Sequence, residues 1–270
     1  MRAAASLAFF TVTALGFGLS ASACEATSTA SSSGSSGESS TSGNGSSSGT
    51  SGTTSSSSGA PPPVSTKDGG VDPTTGEIRY LSIGDSLTQG IGAPNPETDA
   101  FPAKLAERWR AKGCKVELKN AGISGYTAGQ ILSDQVPFIS EFKPTFITFQ
   151  SGANDIANSV TQEKYRTDVR AVIAAAKASG ARVVVLLQNE WFRAPAGPGY
   201  GGTPEKRAAY DAIMLEEISS ASVELVDLRL LYKQQADANQ WVSDGIHPTA
   251  AAYDAWAEEL ARVIPAPCGK

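Results

Sequence analysis

The sequence predicts an α/β protein: a three-layer α/β/α sandwich around a central parallel sheet of about five strands. Three observations predict it. From about Ile78 onward, short apolar runs alternate with stripes at helical spacing. One run, Val183 to Leu187, has no polar interruption, as a strand buried on both faces reads. Glycine and polar residues gather where the runs end, the edge at which open parallel sheets bind ligands.

The elements follow in chain order. Residues 1–23 read as a signal peptide: Arg2, an apolar stretch from Leu7 to Leu19, then Ala21-Ser22-Ala23. The apolar part is short for a membrane span. Cys24 follows directly, and the arrangement resembles the lipobox of bacterial lipoproteins, although Ala21 stands where such sequences usually carry Leu. The resemblance implies lipidation at Cys24 and anchoring to a bacterial cell envelope or cell surface. The alternative is plain cleavage and a secreted or periplasmic protein.

Residues 24–77 read as a tether. From Thr27 to Gly59 every residue except Ala30, Glu38 and Asn44 is Ser, Gly or Thr. Such a tract has no apolar side chains to offset the cost of ordering its backbone, so it behaves as a coil. Pro61-Pro62-Pro63 stiffens its end. The folded domain is expected over 78–270. Its strands are expected at Tyr80–Ile83, Val116–Leu118, Phe146–Phe149, Val183–Leu187 and Val223–Val226. Helical stripes run through Phe101, Leu105 and Trp109; through Tyr165, Val169, Val172 and Ile173; through Tyr210, Ile213, Met214 and Ile218; and through Tyr253, Trp256, Leu260 and Val263. Thr203-Pro204 caps the third of these.

Composition excludes several functions. The formal net charge is −5, which argues against a nucleic-acid partner, because phosphate binding needs a basic surface. One histidine and no Cys-x-x-Cys leave no credible metal site, and no cofactor is expected. Gly197-Pro198-Gly199-Tyr200-Gly201-Gly202 matches a dinucleotide fingerprint, but it does not leave a strand directly, so it is set aside. With three cysteines the count is odd; if Cys24 carries lipid, Cys114 and Cys268 remain as either a disulfide or two free thiols. Membrane contact is expected only through Cys24, and the protein is expected to be a monomer.

Four polar clusters carry the chemistry: Gly84-Asp85-Ser86-Leu87, Asn120 to Gly125, Ser151 to Asp155, and Asp244 to His247. Asp244 lies three residues before the chain's single histidine, a spacing that can place its carboxylate on Nδ1–H and leave Nε2 as a base. Ser86 sits in a strand-to-helix turn where a hydroxyl can be exposed beside helix N-terminal N–H groups. Taken singly, the Asp-x-x-His and Gly-Asp-Ser segments are better read structurally, as a surface or packed histidine before proline and as a capped helix start.

Together and in this order, the four clusters resemble the blocks of the SGNH, or GDSL, hydrolase family, over about Tyr80 to Leu260. The resemblance implies a flavodoxin-like α/β/α fold and a serine esterase of the small bacterial arylesterase or lysophospholipase type. By matching blocks it implies Ser86 as nucleophile, His247 as general acid/base and Asp244 as its orienting partner. It likewise implies an oxyanion hole of the Ser86 N–H, the Gly125 N–H and the Asn154 side-chain amide. The expected substrate is a small ester or an acylated saccharide, with a lysophospholipid as the enzymatic alternative. A surface lipoprotein that binds without turnover is the rival from another class. Trp191, Phe192, Arg193 and Tyr200 lie along the expected active edge and are candidates for the substrate pocket.

Overall fold

In the computed structural model, residues 69–187 and 190–268 are described; the leader, Cys24 and the Ser/Gly tract lie outside them. Five strands form one all-parallel sheet: β1 (Glu77–Ile83), β2 (Lys115–Asn120), β3 (Phe146–Phe149), β4 (Arg182–Leu187) and β5 (Glu224–Asp227), in the order β2-β1-β3-β4-β5. Every residue of β3 and β4 is buried, as the unbroken apolar run Val183–Leu187 requires, and the polar members are satisfied inside: Thr148 bonds Ser82 (2.8 Å) and Arg182 pairs with Glu224 (2.7 Å). The edge strand β2 carries exposed Lys115 and Glu117, charges that discourage a further strand from pairing there.

Between β1 and β2 lie α1 (Ser86–Gln89), α2 (Pro96–Asp99) and α3 (Phe101–Ala111). Between β2 and β3 lie α4 (Ala128–Asp134) and α5 (Phe138–Phe142), and between β3 and β4 lie α6 (Ala153–Ala157) and α7 (Gln162–Ala178). The helix α8 (Pro204–Ala221) joins β4 to β5, and α9 (Arg229–Asp237) and α10 (Ala250–Val263) close the chain. The step from β1 to β2 runs one way along the sheet and the later steps run the other. Parallel crossovers are right-handed, so the two sets of helices cover opposite faces. Accordingly α3 packs on α10, while α4, α7 and α8 pack in a row. Thr127, Thr161, Thr203 and Thr249 cap α4, α7, α8 and α10 by accepting backbone N–H bonds.

Three details differ from the sequence expectation. β5 begins at Glu224 rather than Val223, because Ser222 turns left-handed (φ 55°) and the Val223 N–H still donates to Ile218 at the end of α8. The helix α9 was not expected; its buried stripe of Leu228, Tyr232 and Gln235 is interrupted by a glutamine, which hides the period. That glutamine is bonded inside, donating to the Ala252 carbonyl (3.1 Å) and accepting from Trp256 Nε1 (2.6 Å). Residues 70–76, which composition assigns to the tether, pack on the domain: Thr145 Oγ1 donates to the Gly70 carbonyl (2.8 Å) and Arg79 pairs with Asp72 (3.0 Å). Cys114, just before β2, is joined by a disulfide to Cys268.

Candidate active site

In this strand order β1 and β3 are neighbours whose outgoing connections diverge to opposite faces, so a crevice opens at their carboxyl ends. The turn after β1 is held from below. Gln135 clamps the Gly84 peptide on both sides, accepting from its N–H (2.8 Å) and donating to its carbonyl (2.8 Å). Asp85 caps α1, accepting from the Leu87 N–H (3.0 Å) and from the Gln150 amide. Burial pushes the Asp85 carboxyl above its usual range, against the two donors that lower it. Ser86 is therefore the first residue of a capped helix and is 9% exposed.

The Asn120–Gly125 loop lies directly on this turn. Asn120 donates to the Thr88 carbonyl (2.8 Å), and the Ile123 N–H donates to the Gly84 carbonyl (3.2 Å). A Cβ on Gly122 would sit 2.3 Å from the Gln89 backbone nitrogen, so only glycine allows the approach. Asn154, in the first turn of α6, donates one amide hydrogen to the Tyr126 carbonyl (3.0 Å), which places it beside Gly125. Among the described residues, the backbone N–H groups of Ser86 and Gly125 make no hydrogen bond. Unmatched donors are costly to keep from water or ligand, and here they line an open cleft.

The fourth cluster arrives from the loop before α10. Asp244 Oδ1 accepts from the N–H groups of Ile246 (2.9 Å) and His247 (3.0 Å), and Oδ2 lies 2.7 Å from His247 Nδ1. Partial burial raises the Asp244 carboxyl, but these donors outweigh it and hold it below its usual range. The loop is tied to its neighbour, since the Ala196 N–H donates to the Gly245 carbonyl (2.8 Å).

One cleft of about 200 Å³ collects Ser86, Gly125, Asn154 and His247 in its lining, with Asp244 behind His247. Trp191 and Tyr200 line it too. Phe192 and Arg193 do not: Arg193 pairs with Glu190 and lies over the Phe192 ring. Gly202 belongs to the fingerprint-like run, and its missing side chain is filled by the Trp191 ring, which a Cβ would meet at 2.6 Å. That run is the seat of an indole. Sequence reasoning missed Leu87, Ala157, Tyr232 and Ile246 as lining residues. Tyr232 was hidden with α9, whereas Leu87 and Ile246 sit inside motifs, where their apolar character is the one available signal. The clamps from Gln135 and Gln150 leave no local signal, because each spans more than fifty residues.

A parallel α/β/α fold with this cleft at its switch point is the frame of many hydrolases, and family membership makes this one an ester hydrolase. Residues 82–255 match the GDSL-like Lipase/Acylhydrolase family, and the chain belongs to that family. It is 26% identical over 172 residues to Esterase TesA of Pseudomonas aeruginosa, covering 64% of this chain and 80% of that protein. It is 28% identical over 190 residues to an arylesterase of Vibrio mimicus, covering 69% and 88%. The crystal structure of TesA superimposes with a TM-score of 0.60 at 24% identity, over 70% of this chain and 99% of that one. An acetyl xylan esterase from Geobacillus stearothermophilus matches the fold with a TM-score of 0.59 at 16% identity, over 70% and 94%.

Proposed function

We propose that this ester hydrolase cleaves short-chain esters, acetyl groups among them, through an acyl-Ser86 intermediate. The observation that carries the reading is the single cleft lined by Ser86, His247, Gly125 and Asn154, two of whose backbone donors are left unused. His247 Nε2 takes the Ser86 Oγ proton as oxygen attacks the ester carbonyl. Asp244 accepts from Nδ1–H, fixing the tautomer and stabilising the imidazolium. The tetrahedral oxyanion is met by the N–H groups of Ser86 and Gly125 and by the free amide hydrogen of Asn154. His247 then protonates the departing alcohol, and a water activated in the same way releases the acid and restores Ser86.

The small cleft supports short acyl groups over long ones, and the fold shared with an acetyl xylan esterase makes acetylated polysaccharide a reasonable natural substrate. The leader-like N-terminus and Cys24 support an exported enzyme held to the envelope through a lipid on Cys24. The test is hydrolysis of p-nitrophenyl acetate by the purified protein and by Ser86→Ala and His247→Ala. Turnover should fall at least ~1,000-fold in both variants with the circular dichroism spectrum unchanged. Turnover that survives in His247→Ala sinks the mechanism, since no second histidine exists to replace it.

A further inference from the structure

The residue after Thr88 has no role in the mechanism above, yet it reaches the oxyanion hole. Gln89 closes α1, one helical turn beyond Ser86, and is half-buried. Its Oε1 accepts from the Ser124 N–H at 2.6 Å. Ser124 is the residue immediately before Gly125. The far side of the same turn is held by Asn154, which donates to the Tyr126 carbonyl (3.0 Å), and the turn is closed by the Tyr126 N–H on the Ile123 carbonyl (3.3 Å). The Gly125 N–H thus stands between two tethers, one from the nucleophile's own helix and one from the asparagine that shares its task.

We infer that Gln89 is a positioning residue: its amide oxygen fixes the Ser124–Gly125 turn relative to Ser86, so that the Gly125 N–H is already aimed when the oxyanion forms. The inference rests on the acyl-Ser86 reading. Its physical basis is that an oxyanion donor acts by being in place beforehand, and a donor left free to turn toward water loses most of its value. Because Gln89 touches neither substrate nor reacting atoms, losing it should weaken transition-state stabilisation and leave substrate binding nearly alone.

The experiment compares wild type, Gln89→Met, which keeps length and loses the acceptor, and Gln89→Glu, which keeps an acceptor at the same reach. Turnover of p-nitrophenyl acetate and inhibition by an alkaneboronic acid, whose serine adduct carries an oxyanion, are measured together. In Gln89→Met, kcat should fall roughly tenfold with KM within about twofold, and boronate inhibition should weaken by a similar factor. Gln89→Glu should restore most of both. Gln89→Ala replaces the methionine variant if that one does not fold. Unchanged kcat and boronate affinity in a folded Gln89→Met overturns the inference, as does equal loss in the methionine and glutamate variants. A wild-type protein without Ser86-dependent turnover overturns the underlying reading instead, so the two failures are told apart.

Discussion

Asp155 shows how much of this site is support. Burial pushes its carboxyl up to about 7, with Asp85 and Asp168 nearby adding to the rise and the Ala128 N–H opposing it. Both carboxyl oxygens face that one N–H at 3.1 Å, which ties α6 to α4 directly behind Asn154. The native state therefore holds a proton on Asp155 that the unfolded chain has released by about pH 4. The folded form binds more protons between about pH 4 and 7, so Asp155 makes stability fall as pH rises through that window. Asp155→Asn is neutral at every pH and should flatten the fall. Thermal midpoints of both proteins at pH 4.5, 6 and 8 check this, and parallel curves would show that Asp155 is ionised in the fold throughout. The neighbouring asparagine was legible in the sequence from its motif. The reason it needs an aspartate beside it was not, because the partner N–H lies twenty-seven residues away.

At the level of elements, β4 was readable because burial on both faces demands an uninterrupted apolar run, here Val183 to Leu187, whereas β3 carries Thr148, whose hydroxyl is bonded inside to Tyr80 and Ser82. The short helices were not readable. α1 and α6 span only four and five residues, less than two turns, and exist because Asp85 caps one and the ends of β1 and β3 aim both. The disulfide acts at this scale as well. Cys114 and Cys268 close a loop with a sequence separation of 154, joining the start of β2 to the segment after α10. Opening it enlarges the unfolded ensemble, and Cys268→Ser should cost about 2–5 kcal/mol, read as a lowered urea midpoint with a steeper slope, because the uncrosslinked chain exposes more surface on unfolding. The cleft lies at the opposite, carboxyl end of the strands, so activity per folded molecule should hold. A variant as stable as wild type would mean the bridge constrains little.

Across the whole molecule, the cleft is built by the segments that follow all five strands, which meet because β1 and β3 are adjacent and diverge. Its ceiling of size comes from residues distant in sequence. Trp191 is pressed into the gap left by Gly202, and Tyr232 is carried in by α9. The space of about 200 Å³ is below the ~300–1,000 Å³ of drug-sized pockets. p-Nitrophenyl butyrate should therefore be cleaved about tenfold more efficiently than the octanoate, whose outer methylenes find no buried surface. A kcat/KM that climbs steadily to octanoate would favour the lysophospholipase alternative, and the exposed Ile123 and Tyr200, the latter at the cleft, would become the place to look for its chain.

The amino-acid sequence by itself determined the layer architecture and the identity of the polar clusters, because hydrophobic period and the chemistry of Ser, His, Asp and Asn are local properties. It also narrowed the family, through four segments in a set order ending at the one histidine. Only the tertiary structure decided which neighbours of those clusters matter. It placed Trp191 and Tyr200 at the cleft and kept Phe192 and Arg193 away from it, although all four share one short stretch of chain. It brought Gln89, Gln135 and Gln150 to the nucleophile turn and the loop beside it, and turned a fingerprint-like glycine run into the seat of a tryptophan. The physical reason is that an amide's reach or a missing Cβ acquires meaning only from the group it meets, and that group is supplied by another part of the fold.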